Sequence, residues 1–528
     1  MGDHLKLCVV GSGAMGIYLV KRLISQRIPV SIDVFEATDE AGTGMPYSPG
    51  MNADYMLCNA FSREIPPVTR PLIDWLESQP PRELSDWELS THDLNARAFY
   101  PRTLIGEYLG SEFADLCSKA KDAGFELTVH TGCKVQDISV SGSQALITYS
   151  RNREEAHKQF DIVLIATGHK WATAPMIDEA RLVSPWPYTE IEALPEGPIG
   201  VLGSSLSAID VVIALGHAHG RFEENGDRVT WLPHSLESDL RITMVSRNGV
   251  MPEGDFYYTF PYEPLHHLTE DAVAKEIAKG KDGLLQRTFE LLCAELDAAD
   301  ADYLEDLGQE ARTLDGFAQA YFAPRQETGG LAAVKEDLAE LRKSMKKRET
   351  VPYRYALLRG HEVFGNILPH LSEEDYEEFS QKLMPVFGDC YAAVPHLSLA
   401  RIVAMYDAGV LELCATAKGA TFTEAEDGQI SVETEDGSRT FQAVVDARGQ
   451  SAEPLSKLPF PSLAARFPED AAPVLEPFRL DTGDSGSSQI YCLALPQILE
   501  RYPFSQGLAN CDILAKHVVG DLEDRLVS

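Results

Sequence analysis

The sequence predicts an α/β fold in which one strand–glycine turn–helix–strand unit occurs twice, with a block of helices let into the second copy. Three observations carry this. Short apolar runs end in glycine turns at Gly11 and again at Gly203, and each turn opens a helical pattern. Each copy later has a stretch of alternating polar and apolar residues, then an apolar run ending in glycine, at Gly168 and Gly449. The span from Gly13 to Gly168 is about 155 residues and that from Gly203 to Gly449 about 246. The excess of about 90 falls at roughly Pro264 to Gly360, where apolar residues recur at i, i+3 and i+4.

The first unit runs from Leu7 to Glu36. Leu7 to Val10 is the strand, Gly11-Ser12-Gly13-Ala14-Met15-Gly16 the turn, Met15 to about Ser25 the helix, and Val30 to Phe35 the second strand. Each glycine has a mechanical reason. Gly11 permits a tight turn, Gly13 lets a pyrophosphate approach the backbone, and Gly16 lets the helix pack close to the sheet. The helix N-terminus offers unpaired N–H groups and a positive dipole end to phosphates. Glu36, twenty residues past Gly16, stands where a carboxylate accepts hydrogen bonds from an adenosine ribose. Strand, turn, helix and acid together point to a Rossmann-like dinucleotide site.

The bulk composition sets bounds. The 528 residues allow two or three domains, and 44% hydrophobic with 24% charged residues is ordinary for a globular chain. A net charge of −35 repels nucleic acid and anionic membranes, so neither is an expected partner. The nine cysteines are spread singly with no CxxC pair, which argues against disulfides, a cysteine zinc site and a redox dithiol. MGDHLKLCVV leads straight into the first strand without signal-peptide features, and no apolar stretch approaches membrane-spanning length. A cytoplasmic protein is expected.

After Glu36 a long Gly-, Pro- and Asn-rich loop follows, and long ordered loops are usually functional. Gly42 and Gly44 allow the backbone to run close to a cofactor, and Leu57-Cys58-Asn59 can present an amide near a reactive ring. Pro71 to Glu77 reads as a short amphipathic helix. A longer one starts after Pro101 and ends at Gly124. Arg102 in its first turn is an unfavourable cation unless an anion is near. Phe125 to Ile147 reads as a strand and a hairpin, with Val135 at an adenine edge. Phe160 to His169 is a buried strand ending in Ala166-Thr167-Gly168.

In the second copy Gly203, Ser205 and Ala208 take the three glycine positions, within Gly203-Ser204-Ser205-Leu206-Ser207-Ala208. Leu240 to Val245 is the next strand, and it ends in Ser246-Arg247 rather than an acid. An arginine there pairs with a ribose 2′-phosphate, which favours NADP over NAD. Gly409 to Cys414, a hairpin, and Phe441 to Gly449 complete the copy. The insertion serves as a cap, a substrate lid or a dimer contact, and the residues leave these open. The run Lys343 to Arg348 reads as a solvated helix end. His266 and His267 are adjacent, so a strand would put them on opposite faces, which disfavours joint metal binding. Near the C-terminus Pro503 to Gly507, with Ser505, precedes a helix whose N-terminus can face the pyrimidine end of a flavin. His169 follows the first late glycine turn, where a polar contact and simple packing are equally open to it.

GSGAMG, GTGMPYS, LCNAFS, a WL helix, YPR…YL, ATGH, GSSLSAID and SRNG stand in this order. In them the chain resembles a bacterial FAD/NAD(P)-binding flavoprotein family, related to N-hydroxylating flavin monooxygenases. The likeness covers most of residues 5–255 and, more loosely, 385–520. Some members of that family form nitrosuccinate from aspartate and others hydroxylate urate. The resemblance implies FAD contacts at Gly11, Gly13, Gly16, Glu36, Asn59, Arg102, Val135 and Gly168. It implies NADP contacts at Gly203, Ser205, Ser207 and Arg247. Ser205 in place of glycine, and Asp446-Ala447-Arg448-Gly449 in place of a second ATG, depart from the pattern.

The expectation is an α/β chain of two Rossmann-like dinucleotide-binding domains, for FAD and NADP, with β-hairpin excursions and an inserted helical subdomain. Its parts are 1–190 and 446–528 for FAD, 191–263 and 361–445 for NADP, and 264–360 for the insertion. The expected cofactor-binding residues are Gly11, Gly13, Ala14, Met15, Gly16, Glu36, Gly44, Asn59, Arg102, Val135, Thr167, Gly168, Gly203, Ser204, Ser205, Ser207, Arg247 and Ser505, with no metal ligands. The expected activity is FAD- and NADPH-dependent monooxygenation of a small polar substrate through a flavin C4a-hydroperoxide, N-hydroxylation of an amino acid such as aspartate among the options. A flavin reductase without oxygenation is the alternative, and a nucleotide-sensing protein without turnover a third. Arg354, Arg359 and Arg401 are candidate partners for a substrate carboxylate, O₂ is the co-substrate, and a homodimer would form through the insertion.

Overall fold

Four apolar residues in a row, Leu7 to Val10, need cover on both faces, which a parallel strand inside a sheet supplies. A computed structural model describes residues 5–527 apart from 93, 174, 179, 392, 417–419, 435–436 and 484–488. In it the run ends strand β1 (Leu5–Val10), and all four residues are buried. Helix α1 (Ala14–Ser25) and strand β2 (Val30–Phe35) follow. Helix α2 (Arg102–Asp122) leads to β3 (Leu127–His130). Strands β4 (Cys133–Ser141), β5 (Gln144–Arg151) and β6 (Glu154–Phe160) form an antiparallel meander, one strand more than the sequence suggested. Strand β7 (Ile162–Ile165) closes this half.

The second copy begins with β8 (Pro198–Leu202), α3 (Leu206–His219) and β9 (Arg241–Ser246). An unanticipated hairpin pairs Gly220–Asn225 with Arg228–Pro233, turning at Gly226-Asp227, where Gly226 has φ +61°. A long helical stretch follows, including α4 (Leu284–Ala299), α5 (Phe317–Thr328), α6 (Gly330–Lys347), α7 (Pro352–Phe364) and α8 (His396–Asp407). Strands β10 (Leu411–Ala415) and β11 (Ala443–Asp446) return to the sheet, with a second antiparallel meander between them. The chain ends in β12 (Gln489–Cys492) and α9 (Leu508–Val527).

Two compact units emerge. One holds the residues through Lys170 and those from Gln450 onward, and the other holds Trp171–Gly449. Each contains a parallel sheet, ordered β12–β7–β1–β2–β3 in the first and β10–β9–β8–β11 in the second. In both, the strand before the glycine turn lies between two equivalent neighbours: β2 and β7 flank β1, and β9 and β11 flank β8. The internal duplication is thus present in the backbone. The helical stretch continues beyond 360 through Glu373–Lys382 and Met384–Cys390. Pro352 and Pro385 sit in first helical turns, where the missing N–H has no intrahelical partner to lose.

In the first unit α1 buries Ile17, Tyr18, Leu19, Val20 and Leu23, and Asp512 on α9 accepts from Arg22 Nε at 2.9 Å. In the second, the carboxylate of Glu295, 2% exposed, accepts the backbone N–H groups of His266 (2.9 Å), His267 (2.5 Å) and Leu268 (3.1 Å). That pins the entry into the helical stretch to α4. Among the described residues no helix is long and apolar enough to cross a membrane.

Candidate functional site

In the first unit, β1 delivers the chain to Gly11, whose φ of +103° lies in the region that favours glycine. Its N–H donates to the Phe35 carbonyl at 2.8 Å. A Cβ there would stand 2.5 Å from the Ala166 carbonyl oxygen and 3.6 Å from the Thr167 Cα. The corner therefore joins the ends of β1, β2 and β7. Gly16 is held more tightly still: a Cβ would stand 2.1 Å from the Gly11 carbonyl oxygen. Gly13 is the N-cap of α1, and no side chain caps the helix. The leading N–H groups, at Ala14, Met15 and Gly16, thus face the corner without a side-chain acceptor, as an anion site requires.

Glu36 is fixed by four donors. Its Oε2 accepts Ser12 N–H at 3.0 Å and Ser12 Oγ–H at 2.7 Å, and its Oε1 accepts Thr38 N–H and Oγ1–H, both at 2.9 Å. Both partner residues, Ser12 and Thr38, carry no signal in the sequence that would select them. Ser12 Oγ also accepts Gly42 N–H at 3.1 Å, which draws the following loop onto the turn. Gly44 then packs against Gly13, and Gly42 and Tyr47 pack against α2. A Cβ on Gly42 would stand 2.8 Å from the Gly110 Cα, and one on Gly106 would stand 2.3 Å from the Tyr47 carbonyl oxygen. The small residues at 106 and 110 of α2 admit the loop.

Arg102 resolves its unfavourable place at the start of α2 by turning back. Its Nε donates to the Leu57 carbonyl at 3.1 Å. Asn59, two residues on, is exposed on the loop so held. Burial, and secondarily the Arg102 charge, push the His169 imidazole down to about 4, so it is neutral at neutral pH. Gly168 before it has φ +69° and Thr167 is exposed. Val135 lies half-buried at a β-bulge in the β4–β5 pair. Ser505 is buried, and its hydroxyl donates to the Tyr502 carbonyl at 2.6 Å, shaping the turn before α9. Gly11, Gly13, Ala14, Met15, Gly16, Glu36, Gly44 and Thr167 thus converge on one corner. Asn59 and Arg102 share a second location, with His169 within reach of the Arg102 charge.

The second unit repeats the corner. Gly203 has φ +111°, its N–H donates to the Val245 carbonyl at 2.8 Å, and a Cβ would stand 2.7 Å from the Ala447 carbonyl oxygen. Ser205 is the N-cap of α3 in the same extended conformation, yet its hydroxyl does not cap the helix, so those N–H groups also lack a side-chain acceptor. Ser205 is exposed and Ser207 half-buried. Ser204 Oγ donates to the Val250 carbonyl at 2.7 Å. Arg247, just past β9, is exposed. Arg448 forms a two-pronged pair with Asp446, Nε to Oδ1 at 2.7 Å and Nη2 to Oδ2 at 2.9 Å.

The three arginines considered for a substrate carboxylate all have protein partners. Arg354 is buried against Asp337, with Glu253 at 3.6 Å. Arg359 pairs with Glu362 at 2.6 Å and lies 3.9 Å from the Tyr262 ring centre. Arg401 pairs with Glu224 at 3.1 Å.

Comparison with known proteins adds identity to this geometry. Residues 8–170 match the model of an FAD-NAD(P)-binding family, and residues 269–391 match a YdhS-like middle domain. The chain is 36% identical over 510 residues to the uncharacterized protein YdhS of Escherichia coli (strain K12), covering 96% of this chain and 95% of that one. Its fold is similar to the reduced form of the ornithine hydroxylase PvdA of Pseudomonas aeruginosa, at a TM-score of 0.53 and 13% identity, over 99% of this chain and 100% of that one. It is equally similar to the L-lysine 6-monooxygenase of Pseudomonas syringae, at a TM-score of 0.53 and 14% identity, with the same coverage.

Proposed function

We propose, for a chain that belongs to the YdhS family and carries its FAD-NAD(P)-binding domain, that it is an NADPH-dependent flavin monooxygenase acting on a small polar substrate. The observation that carries this reading is the repeated corner. Gly11 and Gly203 share a similar positive φ, +103° and +111°, an equivalent N–H bond to the neighbouring strand and a helix beyond with no side-chain cap. One corner has Glu36 beside it, suited to a ribose diol, and the other has Arg247, suited to a 2′-phosphate.

FAD, when bound, supplies hydride acceptance and the reaction with dioxygen. The chain's own residues bind and orient. The N–H groups that open α1 hold the pyrophosphate, while Gly13 leaves room for it. Glu36, already aligned by Ser12 and Thr38, accepts the ribose hydroxyls. Arg102, anchored on Leu57, keeps a positive charge near His169, whose neutral imidazole offers one donor and one acceptor. In the second unit Arg247 selects NADPH over NADH.

The two fold neighbours are named as an ornithine hydroxylase and a lysine monooxygenase. N-hydroxylation of an amine-bearing amino acid, aspartate included, is the finer activity we propose. The test is an amine and amino-acid panel with the FAD-loaded protein, scoring NADPH consumption, product mass and hydrogen peroxide. A hydroxylated product formed in step with NADPH consumption supports monooxygenation. NADPH oxidation that yields peroxide with every candidate favours a reductase.

A further inference from the structure

The loop after β9, which carries Arg247, is built against the helices that match the YdhS-like middle domain. Gln326 Nε2, on α5, donates to the Asn248 carbonyl at 2.8 Å. Arg325 Nη1 donates to the Met251 carbonyl at 3.1 Å and is itself anchored on Asp389 at 2.8 Å, which also accepts the Tyr321 hydroxyl at 2.7 Å. A Cβ on Gly330, the first residue of α6, would stand 2.2 Å from the Gly249 carbonyl oxygen, so helix and loop touch backbone to backbone. From the sheet side, Ser246 Oγ accepts Gly249 N–H at 3.2 Å and Ser204 Oγ–H reaches the Val250 carbonyl. Every residue from Asn248 to Met251 is therefore held from outside the loop, three of the four by α5 and α6. Arg247, next to this fixed stretch, is exposed.

We propose that the middle domain is a positioning element for recognition of the NADPH 2′-phosphate, with Gln326 and Gly330 fixing the backbone from which Arg247 reaches it. An arginine on a mobile loop must be ordered at each binding event, whereas one on a clamped loop is preorganised, and clamping improves affinity for the group it meets. The proposal rests on the reading of the second corner as an NADPH site. It adds that discrimination between phosphorylated and unphosphorylated nucleotide depends on residues that touch neither.

The experiment titrates the FAD-loaded full-length protein with 2′,5′-ADP and with AMP by calorimetry, for the wild type and for Arg247→Ala, Gln326→Met and Gly330→Ala. Gln326→Met keeps the side-chain length and removes the donor at an exposed position. The wild type is expected to bind 2′,5′-ADP at least about tenfold tighter than AMP, and Arg247→Ala to abolish that preference. Gln326→Met is expected to cut it about three- to tenfold while AMP affinity and Tm hold, and Gly330→Ala, whose Cβ must displace the Gly249 carbonyl, to cut it as far at unchanged AMP affinity but with a lowered Tm. If the wild type shows no preference, the NADPH reading fails first and this inference with it. If Arg247→Ala loses the preference but both middle-domain variants keep it, the NADPH reading stands and the positioning role is overturned. Equal loss of both probes in the middle-domain variants also overturns it, since a scaffold defect is blind to the 2′-phosphate.

Discussion

Gly13 and Gly44 meet backbone to backbone. A Cβ on Gly13 would stand 3.2 Å from the Gly44 Cα, and one on Gly44 would stand 2.9 Å from the Gly13 Cα. The second glycine of the turn therefore admits the loop that lies against it, and in the proposed function it also leaves room for a phosphate. Gly13 has φ −68°, which alanine adopts freely, whereas Gly44 has φ +72°, which it does not. Gly44→Ala should thus destabilise the apo-protein by about 1–2 kcal/mol more than Gly13→Ala. Gly16→Ala, facing a 2.1 Å approach, should be worse than either. Urea unfolding of the apo-proteins and flavin content on purification check the order.

Glu36 tests the ribose end. Glu36→Gln keeps the shape but replaces one acceptor oxygen with a donor that faces either the Ser12 or the Thr38 donors. Loss of at least about 1 kcal/mol of apo stability is expected, along with a fall of about ten- to a hundredfold in FAD affinity. Flavin fluorescence titration reads the second effect. Unchanged FAD affinity would remove Glu36 from the site.

Three histidines set an acid limit. His169, His217 and His361 are each pushed down to about 4, with burial the main cause and the nearby charges of Arg102, Arg401 and Arg359 adding to it in turn. The unfolded chain takes up a proton near pH 6.5, while the folded state does not until about pH 4. Their contribution is therefore complete above pH 6.5 and declines as pH falls toward 4, by at most about 3 kcal/mol per residue. Comparing wild type with His361→Gln by urea unfolding at pH about 7 and about 5 isolates the effect. The variant should show the shallower loss.

Glu295 holds three successive N–H groups in a buried setting. Glu295→Ala leaves them without an acceptor and should cost about 3–5 kcal/mol, and Glu295→Gln about half of that. A Tm series on the two variants checks the ratio. Equal, small losses would mean that the His266–Leu268 segment finds another acceptor.

The strands and glycine corners were legible because their signals are local. Four consecutive apolar residues before Gly11, and Val30 to Phe35 before Glu36, fix a parallel strand pair within one short stretch. The hairpin after α3 had a readable sign in Gly226-Asp227, a dipeptide that suits a two-residue hairpin loop. What escaped the sequence was long-range. Ser12 and Thr38 become selectable only once Glu36 is seen between them. Gln326 and Gly330 lie about 80 residues beyond the loop they hold.

The edge strand β12 pairs with β7, and α9 is tied to α1 through Asp512 and Arg22. More than three hundred residues separate these partners along the chain. During synthesis the first seven strands to leave the ribosome can align β7, β1, β2 and β3, but the outer rim of that sheet stays open until the final stretch emerges. Nascent chains thus expose an unpaired β7 edge through the whole translation of the second unit, a window in which a chaperone or premature self-pairing competes for it.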